Sequence, residues 1–193
     1  MLADILITIL LIASNFYLTI VLLRFLLQLA RADFYNPITQ FAVKATTPLL
    51  QPLRRIIPGW GGIDGASLVL AVIIQAIAFF LMLVALNGGV PSLNPLTVLT
   101  WSVLNVLSLI VTIYFWSVIA VVVVSWIAPG SNHPAIQLVA QITEPVMRPV
   151  RNLMPSMGGL DLSPIIVFLI LNVLQVVIDN LKISAGMGAL AGV

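Results

Sequence analysis

One long stretch of this chain carries no charge. From residue 65 to residue 143 the sequence contains no Asp, Glu, Lys or Arg. A domain that folds in water covers its surface with such residues, which make up about 25% of an ordinary globular sequence. This chain is 7% charged and 61% hydrophobic. Because lipid is a solvent for apolar side chains, the sequence predicts an integral membrane protein.

The number of spans follows from the hydrophobic runs. A transmembrane helix needs about 20 apolar residues, and four runs approach or exceed that length. The N-terminal run lacks a preceding basic region and is too long for the core of a signal peptide, so we expect it to remain as the first helix. The third run is too long for one upright helix and too short for two, and we expect it to tilt or to begin as an interfacial turn at Trp101. The runs cover residues 2–30, 67–87, 96–128 and 164–181.

The chain repeats itself at an offset of 97 residues. Residues 36–67 and 133–164 align without a gap, and the identical pairs fall on prolines, glycines and charged residues, which low complexity does not explain. Each copy consists of a hydrophobic span, a long polar segment and a second span. We therefore divide the chain into a first repeat, residues 1–95, and a second repeat, residues 96–193. Identical pairs include Tyr17/Tyr114, Pro37/Pro134, Gln40/Gln137, Thr46/Thr143, Pro48/Pro145, Pro52/Pro149, Arg54/Arg151 and Asp64/Asp161.

The repeat also predicts the topology. Two spans per repeat return the chain to the side on which it began, so the repeats are parallel and related by an axis along the membrane normal. Both polar segments then lie on one side, which holds six basic residues. The positive-inside rule places that side in the cytoplasm and both termini on the outer side. The six are Arg31, Lys44, Arg54, Arg55, Arg148 and Arg151.

Each polar segment opens with the signature of a helix start. Asn36 and His133 each precede a proline, the arrangement of an N-cap followed by proline in the first turn. Apolar residues at helical spacing then favour an amphipathic helix in the membrane interface. We expect Pro48 and Pro145 to end or kink these helices, so that the rest of each segment forms a rigid hairpin. Ser163 is the expected cap of the last helix.

The motif shared by the two copies contains N/H-P, T-x-P, P-x-R and G-G-x-D, and it resembles the YggT family of small bacterial membrane proteins. The resemblance covers both halves of the chain, and residues 142–164 are the more typical copy, because Thr47 stands in the first copy where the second has Glu144. It implies a bacterial cytoplasmic-membrane protein linked to osmotic or salt stress tolerance and ion homeostasis. For other members it implies a link to division-site or membrane-complex assembly.

The charged residues of the two polar segments are the candidate binding site. Arginine presents a planar fork that suits phosphate or carboxylate, so Arg54 and Arg151 are expected either to bind anionic lipid headgroups or to pair with nearby aspartates. The alternative is that these arginines only set the topology and stay solvated. The candidates for binding lipids or partner proteins are Arg54, Arg55, Arg148, Arg151, Asp64, Asp161 and Glu144.

Polar side chains also line faces of the predicted spans. Such faces join helices through hydrogen bonds or line an ion path, and both interpretations remain open. Arg24, near the end of the first span, is expected to snorkel toward the headgroups. The candidate polar faces hold Asn172, Gln175 and Asp179 on the fourth span, and Asn105, Ser108 and Thr112 on the third.

Composition argues against several classes of function. The chain has no cysteine and one histidine, which leaves no disulfide, thiol nucleophile or zinc cluster. Eight basic residues in so apolar a chain form no patch for nucleic acid. We therefore expect no cofactor, no metal and no enzymatic activity.

The leading hypothesis is a non-enzymatic membrane factor that supports envelope or ion homeostasis. It would act through its two basic interfacial segments on anionic lipids or on other membrane proteins. The alternative is an ion channel or small transporter component, which would work as a homo-oligomer because four helices enclose little pore. Both hypotheses share one fold: an all-α membrane protein with four transmembrane helices in two parallel repeats, each with an interfacial amphipathic segment.

Overall fold

The computed structural model of the chain consists of helices joined by short connections. It describes residues 2–57, 59, 62–87, 89, 94–128, 130–153 and 161–187, and six helices lie within these residues. They are α1 (Leu2–Leu29), α2 (Pro37–Ile56), α3 (Gly65–Asn87), α4 (Pro95–Ile127), α5 (Pro134–Leu153) and α6 (Ser163–Ser184). The predicted all-α fold is confirmed.

Four of these helices are long and apolar enough to cross a membrane: α1, α3, α4 and α6. They coincide with the four predicted spans. The longest, α4, is one continuous helix of 33 residues that begins where Asn94 accepts the N–H of Leu96. Of the two alternatives expected for this run, the interfacial turn at Trp101 is therefore wrong, and the tilted helix stays a prediction. Trp101 is buried within α4, and its indole N–H donates to the carbonyl of Ala185, 2.8 Å away.

Apolar clusters between the helices fix the direction of each span. At one end of the bundle, Ile7 from the start of α1 packs with Met82 from the end of α3 and Trp101 from the start of α4. Toward the other end, Phe25 from the end of α1 shares a cluster with Val167 from the start of α6. Thus α1 and α4 run in one direction and α3 and α6 in the other. The two repeats are parallel, as the sequence predicts.

The prolines inside the polar segments do not end their helices. Helix α2 continues through Pro48 and Pro52, and α5 continues through Pro145 and Pro149. The expectation that each helix ends at Pro48 or Pro145 and gives way to a hairpin there is wrong, and the kink that was the alternative stays a prediction. A proline leaves the carbonyl of the residue four positions earlier without its helical hydrogen bond. The proline and that earlier residue lie on the same face of the helix. Because all four prolines are exposed, the freed carbonyls lie where water or headgroups reach them.

Helix α2 has the two faces of an interfacial helix. Thr46 and Leu50 are buried against the bundle, whereas Phe41 and Leu49 are more than half exposed. Exposed apolar residues on a helix beside four spans are suited to contact with lipid. The amphipathic helix predicted for this segment is confirmed.

Helices α2 and α5 lie at the same end of the bundle and touch each other. The side-chain amide of Asn36 donates to the carbonyl of Pro134 at 2.8 Å. The backbone N–H of Asp33 donates to Oε1 of Gln141 at 3.1 Å. These contacts join the two repeats at the end that carries most of the basic residues.

Candidate functional site

The end of α2 is tied to the start of α3 by charge. Arg54, in the last turn of α2, forms an ion pair with Asp64, the residue before α3. Asp64 is 3% exposed, and its carboxylate also accepts the backbone N–H and the hydroxyl of Ser67. A carboxylate in this position satisfies a free N–H and interacts favourably with the helix dipole. Asp64 therefore caps α3 while it holds α2, and Arg54 also donates to Oε1 of Gln28 in α1 at 3.1 Å.

The second repeat carries the equivalent pair in a more open form. Arg151 Nε lies 3.3 Å from Asp161 Oδ2, and Arg151 Nη1 lies 3.4 Å from Glu144 Oε2. All three side chains are about half exposed. Asp161 accepts the N–H and the hydroxyl of Ser163. The prediction that Ser163 caps α6 is wrong, because its side chain is the donor and the aspartate supplies the acceptor.

Both aspartates have a pKa below the ordinary value of a carboxyl group. For Asp64, burial favours the neutral form, but hydrogen bonds from Arg54 and Ser67 and the charge of Arg54 outweigh burial. For Asp161, the hydrogen bond from the Ser163 hydroxyl is the largest cause, opposed in part by burial and reinforced by Arg151. Both carboxylates therefore remain ionised, and both pairs remain charged, at neutral pH.

The remaining basic residues of this layer face outward. Arg55, Arg148 and Lys44 are exposed. In the part of the chain that the structure describes, ion pairs are formed by Arg54 and Arg151 in this layer but not by these three residues. The arginines thus fall into two groups, one engaged with carboxylates and one free to meet an external anion.

Arg24 does not lie where the sequence predicts. It is 7% exposed and lies beneath α2 instead of snorkelling toward the headgroups. Its Nη1 donates to the hydroxyls of Thr46 at 2.7 Å and Thr47 at 3.2 Å, and to the carbonyl of Val43 at 3.1 Å. A buried charge is costly unless its donors are paired. These hydrogen bonds therefore attach α2 to α1.

The aligned repeats contain a signal for this contact. Arg24 corresponds to Val121 in the second copy, and Thr47 corresponds to Glu144. The arginine and one of its acceptors are thus both replaced when the copies are compared, as expected for two positions that touch. The second copy uses Glu144 differently, as a partner of Arg151.

Among the residues predicted to form polar faces of the spans, Gln175 joins two helices. Gln175 of α6 donates to the hydroxyl of Ser108 in α4 at 2.8 Å and to Asp179 at 3.1 Å. Asp179 also lies 3.4 Å from the ammonium of Lys182. Asn172 donates to a backbone carbonyl of its own helix. The structure therefore joins Gln175 and Asp179 and leaves Asn172 on the helix surface.

Other polar side chains are partly or fully enclosed within the bundle. Asn105 on α4 is partly buried. The Oε1 atoms of Gln75 and Gln175 are buried and have no hydrogen-bond partner among the described residues. Within those residues, no three His, Asp or Glu side chains converge as a metal site would require.

Comparison with known proteins gives similarity over almost the whole chain. A model of the CCB3/YggT family matches residues 3–85 and residues 100–181. An uncharacterised protein of Pseudomonas aeruginosa is 53% identical over 175 residues, which cover 90% of this chain and 88% of the relative. The uncharacterised protein YggT of Escherichia coli strain K12 is 36% identical over 181 residues, which cover 91% of this chain and 90% of the relative. No solved structure matches the chain.

Proposed function

We propose, since the chain belongs to the CCB3/YggT family, that it is a non-enzymatic, multi-pass factor of the bacterial cytoplasmic membrane. Its role is to support osmotic and ion homeostasis or the assembly of membrane complexes in the envelope. It acts through the basic layer, defined as α2, α5 and the aspartates that follow them. This layer faces the cytoplasm and binds anionic lipid headgroups and partner membrane proteins.

The difference between the paired and the unpaired arginines is the observation that supports this proposal most directly. Arg54 and Arg151 are engaged with carboxylates, and they hold the ends of α2 and α5 in place. Arg55 and Arg148 are exposed on the same layer and form no ion pair among the described residues. Near an anionic membrane surface, each such arginine contributes about 1 kcal/mol of attraction. Two arginines of the layer thus hold its helices in position, and two others remain available to attract anionic lipid.

The experiment compares the lipid preference of two double variants with that of the wild type. Each protein would be reconstituted in phosphatidylcholine vesicles with spin-labelled phosphatidylglycerol, and electron paramagnetic resonance would measure the lipid held at the protein surface. We expect Arg55→Ala with Arg148→Ala to reduce the preference for phosphatidylglycerol about thirtyfold. The matched control is Arg54→Ala with Arg151→Ala, which removes the same amount of positive charge. Because these two arginines pair with carboxylates, we expect this control to lower the stability of the protein more than its preference for phosphatidylglycerol. An unchanged preference in the first variant would refute the proposal.

An ion path through the spans is the second candidate, and the buried amides support it. The Oε1 atoms of Gln75 and Gln175 lack a hydrogen-bond partner among the described residues. An unpaired oxygen inside a membrane span is costly and is a suitable ligand for a cation or water. Because a single chain encloses little pore, this path would require a homo-oligomer.

Flux measurements separate the two candidates. Purified protein in liposomes would be tested for potassium and sodium flux against empty vesicles. Saturable flux that falls in Gln175→Leu, but not in the surface variant Asn172→Leu, would support the ion path. An absence of flux from folded and inserted protein would leave the lipid-binding factor as the better-supported function.

A further inference from the structure

The two repeats each enclose a cavity at the same place. In the first repeat, a cavity of about 540 Å³ is lined by the end of α1 and by α2. In the second repeat, a cavity of about 410 Å³ is lined by the end of α4 and by α5. Their lining residues correspond at the offset of 97, including the pairs Arg24/Val121, Arg31/Ala128 and Thr39/Ile136. The internal symmetry thus relates two cavities of opposite character, one basic and one apolar.

Three arginines line the first cavity. The first, Arg24, belongs to α1, and the second, Arg31, lies two residues after the end of α1. The third, Arg54, belongs to α2. Arg54 is paired with Asp64, but no Asp or Glu is among the described residues that line the cavity. Like charges that line one cavity repel one another. An anion between them would remove this repulsion, and the planar fork of arginine fits the oxygen atoms of phosphate.

Thr39 provides a second, independent observation. It lines the same cavity and is 5% exposed. Its Oγ1 is buried and has no hydrogen-bond partner among the described residues. Enclosing a hydroxyl without a partner is unfavourable, and a hydroxyl donor beside arginines is matched by a phosphate oxygen. The equivalent residue of the apolar cavity, Ile136, has no polar group to satisfy.

The backbone conformation at Arg31 is a further observation about this cavity. Its φ is +50°, in the left-handed region, where a helix ending most often has glycine. The N–H of the next residue, Ala32, donates to the carbonyl of Leu27 at 2.9 Å, the long bond of a Schellman ending. A side chain at this position strains the backbone. The charge that it brings to the cavity would compensate for that strain.

We propose that the first-repeat cavity is a binding site for one phosphate group. Arg24 and Arg31 supply the charge, Arg54 lines the site while it stays paired with Asp64, and the hydroxyl of Thr39 donates to a phosphate oxygen. This site would specify what the proposed function binds. It rests on that function in one respect only, which is the position of α2 at the depth of the lipid headgroups. The phosphate belongs either to the headgroup of an anionic phospholipid or to inorganic phosphate, since both present the same oxygen atoms.

Titration of the purified full-length protein in an uncharged detergent distinguishes the two sources. The probes are short-chain dihexanoyl phosphatidylglycerol, sodium phosphate, and sodium chloride at matched ionic strength, and the readout is the midpoint of thermal unfolding. A ligand that binds the native state raises this midpoint in a saturable way. A rise with phosphatidylglycerol alone identifies the lipid as the source, and a similar rise with phosphate identifies the free anion. If neither exceeds sodium chloride, the proposal is overturned.

Two variants locate the binding without unfolding the protein. Thr39→Val removes the unpaired hydroxyl, and Arg31→Gly removes the charge while relieving the backbone strain. Without ligand, both should unfold at the wild-type midpoint or higher. Each should weaken binding of the effective probe about tenfold. Wild-type affinity in both variants would overturn the proposal.

Arg148→Ala is the control, because it removes a positive charge that is also exposed but lies outside the cavity. It should keep the wild-type affinity for the probe, and a loss as large as that of Arg31→Gly would overturn the site. The same control separates this inference from the proposed function. If Arg55 and Arg148 prove irrelevant to lipid preference while Arg31→Gly still abolishes probe binding, the cavity site stands and the lipid-binding function of the layer fails.

Discussion

Arg54 forms its ion pair with an aspartate that is 3% exposed, Asp64, which caps the next helix. The matching pair, Arg151 with Asp161, joins the same two places in the second repeat, but there the aspartate is 46% exposed. One chain thus contains the same ion pair in a buried and in an open setting. The second repeat is therefore an internal control for the first.

Loss of the Asp64 charge should destabilise the protein far more than loss of the Asp161 charge. Asn still offers an N-cap acceptor, so Asp64→Asn mainly removes the charge and leaves Arg54 without its carboxylate. Breaking a buried pair costs about 3–5 kcal/mol. Because Arg54 is 41% exposed, we expect about 2 kcal/mol, against less than about 1 kcal/mol for Asp161→Asn. Thermal unfolding in detergent measures both, and equal losses would contradict the role given to burial.

Acid should destabilise the protein through the same aspartates. A carboxyl group whose pKa is lower in the folded state contributes stability above its unfolded pKa of about 4. That contribution is lost as the pH falls through the lowered, folded-state pKa. The unfolding midpoint should therefore stay level from about pH 7 to about pH 5 and drop below about pH 4. Asp64→Asn should begin lower and drop less, and an unaltered drop would assign the acid sensitivity to other groups.

Removal of Arg24 should loosen α2 from the bundle. Arg24→Leu deletes the hydrogen bonds to α2, each of the kind worth about 1.5–3 kcal/mol. The chain has no cysteine, so a single Ala42→Cys, at a position that is 0% exposed, reports opening by its rate of reaction with a maleimide. We expect the rate to rise at least about tenfold. In the second repeat, Val121→Leu with Val139→Cys is the matched control and should react at its unmodified rate.

The orientation in the membrane can be tested with the same cysteine-free background. Lys44→Cys and Arg148→Cys lie in the two halves of the basic layer, and Gly89→Cys lies between α3 and α4. In intact cells an impermeant maleimide should label Gly89→Cys and spare the other two, since the positive-inside rule places the basic layer in the cytoplasm. Labelling of Lys44→Cys and Arg148→Cys instead would invert the topology. Labelling of one of these two alone would contradict the parallel repeats.

The spans and their directions were predictable because lipid restricts what can cross it. An uncharged apolar run long enough to cross the bilayer, set between polar segments, is seldom anything but a span, and an aligned repeat with two spans leaves one arrangement. The start of α4 was harder to place, since Asn94 and Trp101 are both suited to an interface. The structure decides it through packing, because Trp101 fills a cluster with Ile7 and hydrogen bonds to the end of α6.

Each wrong or undecided prediction in the polar segments has its own physical reason. The rule that proline ends a helix assumes that the freed carbonyl has no other partner, and on an exposed face that assumption fails, as at Pro48. The burial of Arg24 depends on α2 lying across the end of α1, which spacing along the chain does not reveal. The pairing of Arg54 with Asp64 was one of three alternatives, beside lipid binding and a solvated arginine, and the ten-residue spacing did not choose among them. Lipid binding by Arg55 stays a prediction.

Two hydrogen bonds at the junction between the repeats run in the same direction, from the first repeat to the second, which exact symmetry would not produce. Asn36 donates to Pro134 and Asp33 donates to Gln141, so the first half gives both hydrogen bonds and the second half accepts them. In a dimer of identical halves, each contact would occur once in each direction. A dimer of first halves would place Lys44 opposite Asp33, and lysine has no acceptor to offer. The two repeats are therefore complementary at this junction, and two first halves would lose the hydrogen bond that Asp33 makes with Gln141.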